Sequence, residues 1–318
     1  MLVVAFGGPQ GPDDIRPFLA NVLRGRRVAP ERIEEVAHHY ELFGGVSPLT
    51  ELTLRQAEGL RQELASRGVT LPVYVGMRNW QPYVRDTLER MSNDGVRRAI
   101  AFVAAAHRSY SGCLQYKENI AEAQVALAER RLPPVQVTYV TDWHLHEGFI
   151  AANAAHVREA LERLPPAART GAEIVFTAHS IPVSMAERYP YERQVRETAA
   201  AVMRLLSRAE DPLVAFQSRS GRPEDPWLGP DVCDYLKDAK TRGVPGVVLC
   251  PIGFLCDHVE VLYDLDVEAA QVCRDIGLPM TRAAAVNDHP AFLDSMADAV
   301  MAVSGRYAGG RPLEVVKS

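Results

Sequence analysis

The stretch EIVFTAHSIP (residues 173–182) joins an uninterrupted apolar run to a histidine and a proline, and it predicts the fold of the chain. Continuous apolar strands are typical of parallel sheets that are buried on both faces. Pro182 favours an extended backbone before it and suits the start of a helix, so we expect a helix from about Val183. A strand, a turn and a helix in succession form the repeating unit of α/β proteins.

Six further apolar runs follow this pattern, and segments with helical periodicity lie between them. The runs are LVVAF (2–6), LPVYVGM (71–77), AIAFVAAA (99–106), VQVTYV (135–140), LVAFQ (213–217) and GVVLCPIG (246–253). Apolar residues recur at helical intervals in QAEGLRQELASRG (56–68), YVRDTLERMSNDG (83–95) and VREALERL (157–164). The alternation predicts an α/β fold with parallel sheets flanked by helices.

The predicted strands fall into two groups, which lie on either side of VTDWHLHEGF (140–149). We therefore expect two lobes, formed by residues 1–141 and 142–289. A final helix within residues 290–318 is predicted to pack back on the first lobe.

The composition favours small-molecule partners. The formal net charge is −5, with 35 Lys and Arg against 40 Asp and Glu, and it lacks the basic excess of proteins that bind nucleic acid or anionic membranes. No run approaches the roughly 18 apolar residues of a membrane-spanning helix, and we expect a cytoplasmic protein. Its five cysteines form no CxxC pair and are predicted to be buried, reduced thiols: Cys113, Cys233, Cys250, Cys256 and Cys273.

His179 lies where the predicted strand 173–178 ends. Ligands of open α/β sheets bind beyond the carboxyl ends of the strands, and an imidazole there can bind a metal or accept a proton. The residues alone leave open a histidine that only caps the turn. A Ser–His hydrolase pair with Ser180 is disfavoured, because adjacent residues of a strand point to opposite faces and no GxSxG motif is present.

Acidic residues recur at helical intervals in PIGFLCDHVEVLYDLDVE (251–268). Four of them would share one face of a continuous helix, with Asp266 off that face: Asp257, Glu260, Asp264 and Glu268. The helix dipole explains acids of the first turn, where we expect Asp257 and Glu260. It does not explain the other two, so the face is either solvated or binds cations.

Two further features concern ligands. Glu260 and His179 both follow strands of the second lobe and are expected to converge on one cleft, where they could bind a metal and accept protons. Arg24, Arg26 and Arg27 could hold carboxylates, with Ser47 adding a hydroxyl. An ordinary solvated loop is an equal alternative for this basic stretch.

Six blocks of the sequence together resemble the successive motifs of the ferrochelatase family. They are AFGGPQGPDDIRPFLANVLRGR (5–26), YELFGGVSPLT (40–50), GMRNWQPYVRDTLERM (76–91), FTAHSIP (176–182), FQSRSGRPEDPWLGPDV (216–232) and PIGFLCDHVEVLYDLD (251–266). They occur in the family's order over nearly the whole chain. The resemblance implies two Rossmann-like lobes with the active site in the cleft between them. It also implies a lyase that inserts Fe²⁺ into a porphyrin.

The resemblance also assigns roles to individual residues. His179 and Glu260 become the catalytic pair that contacts the metal, and Asp264 and Glu268 continue an acidic line of metal ligands towards it. Porphyrin contacts are implied for Arg24, Arg26, Arg27, Ser47, Phe6, Trp80, Tyr110 and Trp227. His179 is then expected to accept the first pyrrole proton.

Three departures from the family pattern are visible. Phe6 replaces a tyrosine that can bind iron in some bacterial members, and His39 replaces an arginine that contacts a propionate. No cysteine follows Cys273, so we expect no iron–sulfur cluster and no tightly bound cofactor, with Fe²⁺ as a substrate.

The substrate is predicted from the lip between the first helix and the GGxSP motif. This lip, LRGRRVAPERIEEVAHHYELFGG (23–45), is short and charged. A polar lip favours coproporphyrin III, with four propionates, over protoporphyrin IX, with two. A non-enzymatic porphyrin carrier and a zinc hydrolase remain as alternatives. We further expect a monomer that makes transient contacts with other haem-pathway enzymes.

Overall fold

The computed structural model describes residues 1–25, 28–220 and 224–308. Arg26 and Arg27 of the predicted porphyrin-binding loop therefore lie outside the described residues, as does the 309–318 part of the predicted C-terminal range. Within the described ranges, no helix is both long enough and apolar enough to cross a membrane.

Two four-stranded parallel sheets form the framework, which confirms the predicted fold class. The first has the order β2-β1-β3-β4, with β1 at Leu2–Ala5, β2 at Tyr74–Met77, β3 at Arg98–Val103 and β4 at Gln136–Tyr139. The second has the order β6-β5-β7-β8, with β5 at Glu173–His179, β6 at Leu213–Gln217, β7 at Val247–Cys250 and β8 at Met280–Arg282. Each of the seven predicted apolar runs overlaps a strand. The three-residue β8 is the strand that the sequence pattern missed.

Helices connect the strands. Those of the first half are α1 Ile15–Val22, α2 Pro30–Leu42, α3 Pro48–Ser66, α4 Val84–Asn93 and α5 Gln115–Glu129. The second half has α6 Glu147–Arg163, α7 Pro166–Arg169, α8 Val183–Ala186, α9 Tyr191–Leu205, α10 Val232–Thr241, α11 Val259–Val261, α12 Ala270–Ile276 and α13 Pro290–Ala308. A π-helical segment, Tyr110–Leu114, leads into α5, and another, Leu262–Ala269, joins α11 to α12.

Both faces of each sheet are covered, as the apolar strands predict. In the second sheet, Phe176 and Phe216 pack with α6 and α9 on one face, whereas Val175 and Leu249 pack with α10 and α12 on the other. The final helix α13 contacts α3, β3 and α6. The predicted boundary at residue 142 falls between β4 and α6, and the division into domains stays a prediction.

Strand order places the candidate site. In each sheet the order reverses between two central strands, β1 and β3 in the first and β5 and β7 in the second. A crevice opens at such a reversal, beyond the carboxyl ends of the strands. Phe6 directly follows β1, and His179 ends β5. The loop 251–258 leads from β7 to the helix that carries Glu260.

Candidate functional site

His179 is held by the backbone of its own turn. Its Nδ1 lies 2.5 Å from the carbonyl oxygen of Ser180. The Ser180 amide donates to Gln217 O at 2.8 Å, and its hydroxyl donates to Leu228 O at 2.7 Å. Because a carbonyl oxygen can only accept, Nδ1 carries the proton of the neutral ring and Nε2 carries the lone pair. The imidazole therefore presents a proton acceptor and metal ligand on the Nε2 side.

Glu260 lies opposite that lone pair. Its Oε2 is 4.0 Å from His179 Nε2, and the two side chains are 43% and 34% exposed, respectively. The separation is too long for a direct hydrogen bond. Two metal–ligand bonds of about 2.1 Å each can span it. The pair can thus bind one metal ion or receive two protons, and both side chains remain partly exposed.

Gly253 allows the loop after β7 to cross close to β5. Its amide donates to Thr177 O at 3.0 Å. A Cβ at this position would lie 2.6 Å from the Cβ of Ala178, which is closer than real Cβ contacts. The absence of a side chain lets the loop run beside the end of β5 and bring Glu260 to His179.

Asp257 does not belong to the acidic face. The helix starts at Val259, so the prediction that Asp257 occupies its first turn is wrong. The carboxylate instead closes the loop, accepting from Arg282 Nη1 at 2.7 Å, the Ala285 amide at 3.1 Å and Asn287 Nδ2 at 2.8 Å. Asp266 also pairs with Arg282, at 2.8 Å, and lies off the acidic face as predicted.

Asp264 and Glu268 lie in the π-helical segment, so the predicted regular α-helix is wrong over Leu262–Ala269. Such segments occur often at functional sites. Asp264 accepts hydrogen bonds from the Ser218 hydroxyl and from Gln217 Nε2, the latter at 3.2 Å. Burial, with the charges of Glu260 and Glu268, raises the pKa of Asp264 to about 7. This carboxyl can therefore hold or release a proton near neutral pH.

The acids form a line rather than a cage. Glu260 and Asp264 are partly buried, whereas Glu268 is exposed. Among the residues that the structure describes, no group of three or more His, Cys, Asp or Glu side chains is arranged to hold a metal ion. The arrangement offers a cation successive carboxylates at different depths.

Aromatic residues from the N-terminal part of the chain pack beside this helix. Phe18 makes edge contacts with Phe6, at 6.2 Å between ring centroids, and with Trp80, at 6.3 Å. Val259 packs into the same cluster, so the start of the acidic helix is anchored to α1 and α2. Phe6 offers no ligating atom.

His39 stacks on Tyr263 of the π-helical segment. The ring centroids are 3.5 Å apart and the planes differ by 13°. Burial is the main cause that lowers the pKa of His39 below its ordinary value, with the charge of Arg32 adding to it. A largely neutral ring therefore occupies the position where the family pattern has an arginine.

The remaining predicted porphyrin contacts have other local partners. Ser47 is 2% exposed and caps α3, accepting from the Leu49 amide. Arg24 is exposed and donates to Asn21 Oδ1 at 2.6 Å. Tyr110 starts its π-helical segment and donates to Glu118 at 3.1 Å. Trp227 forms an isolated β-bridge with Pro182, three residues after His179. Their roles towards a porphyrin stay predictions.

Gln217 and Ser218 were missed as site residues. They lie at the carboxyl end of β6, within FQSRS (216–220), and the rule that located His179 points to them as well. Ser218 also has φ +59°, an uncommon value for a residue with a side chain. That conformation has no clear sequence signal.

Comparison with known proteins shows which family the chain belongs to. A model of the family described as ferrochelatase matches residues 1–303. The coproporphyrin III ferrochelatase of Streptomyces griseus is 44% identical over 315 residues, which cover 95% of this chain and 84% of the relative. The ferrochelatase of Rhodopirellula baltica is 45% identical over 307 residues, covering 96% and 86%. The coproporphyrin III ferrochelatase of Nocardia farcinica is 42% identical over 324 residues, covering 98% and 91%.

Solved structures agree with the architecture. SirB from Bacillus subtilis with Fe³⁺ aligns with a TM-score of 0.59 at 13% identity, covering 97% of this chain and 96% of that one. The sirohydrochlorin chelatase SirB from Bacillus subtilis subspecies spizizenii, in complex with cobalt, gives a TM-score of 0.56 at 14% identity with the same coverage. At these identities the likeness shows the fold alone.

Proposed function

Because this chain belongs to the ferrochelatase family, we propose that it inserts Fe²⁺ into a porphyrin, and that coproporphyrin III is the preferred substrate. The observation that carries the proposal is the pair formed by His179 Nε2 and Glu260 Oε2, 4.0 Å apart at the strand-order reversal of the second sheet. The reaction consumes a free-base porphyrin and Fe²⁺ and releases two protons.

The pair supplies the groups that this reaction needs. His179 Nε2 accepts the first pyrrole proton, and the Nδ1 contact to Ser180 O stabilises the imidazolium that results. Glu260 then receives the second proton or contacts the incoming ion. A general base works best within hydrogen-bond reach of the proton that it accepts. Because both side chains are partly exposed, a porphyrin ring can approach them.

Asp264 and Glu268 deliver the ion in this proposal. Carboxylate oxygens suit hydrated divalent cations, and separated single carboxylates bind them weakly enough for onward transfer. The exposed Glu268 meets the ion first and the partly buried Asp264 receives it next. The hydrogen bonds from Ser218 and Gln217 keep the Asp264 carboxyl oriented.

The preference for coproporphyrin III rests on the charged lip at residues 23–45 and on the relatives named for this substrate. Four propionates require more cationic and hydrogen-bonding partners than two do. Arg24, Ser47 and Tyr110 are the proposed partners within the described residues, with Trp80 and Trp227 beside the ring. Phe6 packs against the macrocycle and leaves axial ligation to other groups.

We also propose that the protein works without an iron–sulfur cluster or another resident cofactor, in the cytoplasm, as a monomer. The five cysteines are free thiols, and burial raises the pKa of Cys256 to about 12 and that of Cys273 to about 11. Thiols of this kind are poor cluster ligands and suit a reducing compartment. Transfer of the product to another haem-pathway enzyme requires only transient contact.

A side-by-side anaerobic assay with coproporphyrin III and protoporphyrin IX tests the proposal. Catalytic amounts of protein should metallate an excess of porphyrin, with the larger kcat/KM for coproporphyrin III. Stoichiometric binding without turnover would identify a porphyrin carrier instead. Equal or higher kcat/KM with protoporphyrin IX would contradict the substrate preference and leave the reaction assignment intact.

A further inference from the structure

Tyr191 reaches the backbone of His179 from α9, the second helix after β5. It is the first residue of α9 and is 6% exposed. Its hydroxyl donates to His179 O at 3.0 Å. That carbonyl belongs to the peptide unit between His179 and Ser180, and the next carbonyl along the chain accepts from His179 Nδ1. A hydrogen bond that fixes this peptide unit therefore also constrains the direction of the imidazole.

His107 packs against Tyr191 from the segment that follows β3. The two ring centroids are 6.3 Å apart and the ring planes differ by 85°. Burial lowers the pKa of His107 to about 3, so its ring is neutral. Its Nε2 lies 3.1 Å from Thr198 Oγ1. Thr198 Oγ1 also lies 2.9 Å from Gln194 O and 3.1 Å from His144 O. Since carbonyls only accept, the single hydroxyl proton is directed at these two oxygens, and Nε2–H of His107 donates to the hydroxyl oxygen.

A second hydrogen bond ties the same two segments together. The Arg108 amide donates to Gln194 Oε1 at 2.7 Å. Gln194 and Thr198 follow Tyr191 by three and seven residues, so all three share one face of α9. The segment on the other side continues to Tyr110, one of the proposed porphyrin contacts. Tyr191 thus lies between a porphyrin-side segment of the first lobe and the peptide unit that orients His179.

We propose that Tyr191 is a positioning residue for His179, and that the segment 107–110 acts on His179 through the ring contact between His107 and Tyr191. The expected effect on kcat rests on the proposed function, because it presupposes that the protein inserts a metal. Tyr191 touches neither the metal nor the ring. It keeps His179 O and the following carbonyl in the orientation that leaves the Nε2 lone pair facing Glu260.

Tyr191→Phe tests the inference because it removes one oxygen and keeps the packed ring. We expect kcat for metal insertion to fall about five- to tenfold, the range for losing one buried hydrogen bond, with porphyrin KM within twofold of the parent value. Tyr74→Phe is the matched control, since Tyr74 is also buried and donates to Asp94 at 2.9 Å, away from the site. Its kcat should equal that of the parent.

Nitrogen NMR of His179 gives a readout that does not depend on turnover. The parent should show the Nδ1–H tautomer, and Tyr191→Phe should show a mixture of tautomers, with Tyr74→Phe like the parent. Thr198→Val removes the hydrogen-bond acceptor of His107. It should also lower kcat, by a smaller factor than Tyr191→Phe does.

Parental kcat and tautomer in Tyr191→Phe would overturn the positioning role. A parental kcat in Thr198→Val, beside a reduced one in Tyr191→Phe, would overturn the part assigned to His107. If the parent metallates no porphyrin, the proposed function fails, and the tautomer of His179 in Tyr191→Phe still decides whether Tyr191 positions it.

Discussion

Asp257 and Arg282 form a well-buried ion pair near the site. Their side chains are 16% and 15% exposed, and Asp257 accepts two further hydrogen bonds, from Ala285 and Asn287. Removing Asp257 leaves Arg282 with only the more exposed Asp266 and leaves the two other donors without an acceptor. The carboxylate therefore stabilises the loop before Glu260, although its spacing in the sequence matches that of the functional acids.

Asp257→Ala should lower the free energy of unfolding by about 2 kcal/mol, because the Ala285 amide and Asn287 lose their acceptor and Arg282 keeps only the more exposed Asp266. The KM for Fe²⁺ should stay at the parental value in the folded variant. Asp266→Ala is the control: its carboxylate is 39% exposed, and the loss should be below about 1 kcal/mol. Chemical denaturation measures both values. Equal, small losses would contradict the structural role of Asp257.

Asp264 should make stability depend on pH. Its pKa is about 7 in the folded protein, against 3.8 for an ordinary aspartate, so the folded state holds a proton that the unfolded state releases. This contribution is fully present below about pH 4 and is lost as pH rises through 7. In Asp264→Asn, the fall in unfolding free energy between pH 4 and 7.5 should be smaller by about 3.5 kcal/mol. Parallel profiles for the parent and the variant would contradict the raised pKa.

At the scale of the element, the helix from Val259 to Ile276 could be predicted only in part. Its existence and the shared face of Glu260, Asp264 and Glu268 follow from apolar and acidic spacing. Its π-helical middle could not be predicted, because the side-chain pattern of a short helix does not report a change of hydrogen-bond partner. The start of the helix was misplaced, since the partners of Asp257 come from a distant segment.

The double substitution Asp264→Ala with Glu268→Ala tests the metal path along this helix. The KM for Fe²⁺ should rise about tenfold, as two oxygen ligands are lost, while porphyrin KM stays within twofold. Asp275→Ala is the matched control, because Asp275 lies farther along the same helix and accepts from Gln271. An unchanged KM for Fe²⁺ in the double variant would contradict the metal path and indicate that both carboxylates are simply solvated.

At the scale of the whole molecule, the architecture was largely predictable. Strands buried on both faces leave an unmistakable apolar run, and parallel sheets follow from their alternation with helices. β8 was missed because three half-buried residues carry no such pattern. The proximity of His179 and Glu260 could be predicted because both lie at or beyond the carboxyl ends of strands. The contacts of Tyr191, Ser218 and His39 depend on side-chain directions and packing between elements, which sequence periodicity does not encode.

Segments that belong to the two sheets' surroundings meet where the chemistry is proposed. Val259 packs in the aromatic cluster around Phe18, and Tyr263 stacks on His39 of α2. The approach of His179 to Glu260 is therefore the feature in which strand order, the crossing at Gly253 and these contacts converge.

The most direct test of the central claim is the rate of anaerobic Fe²⁺ insertion into coproporphyrin III by His179→Ala, with porphyrin affinity measured on the same preparation. Losing the proton acceptor should lower kcat by a factor on the order of 10²–10⁴, and porphyrin affinity should stay within about threefold of the parental value. Insertion at the parental rate, or a loss of rate explained entirely by lost porphyrin binding, would contradict the account.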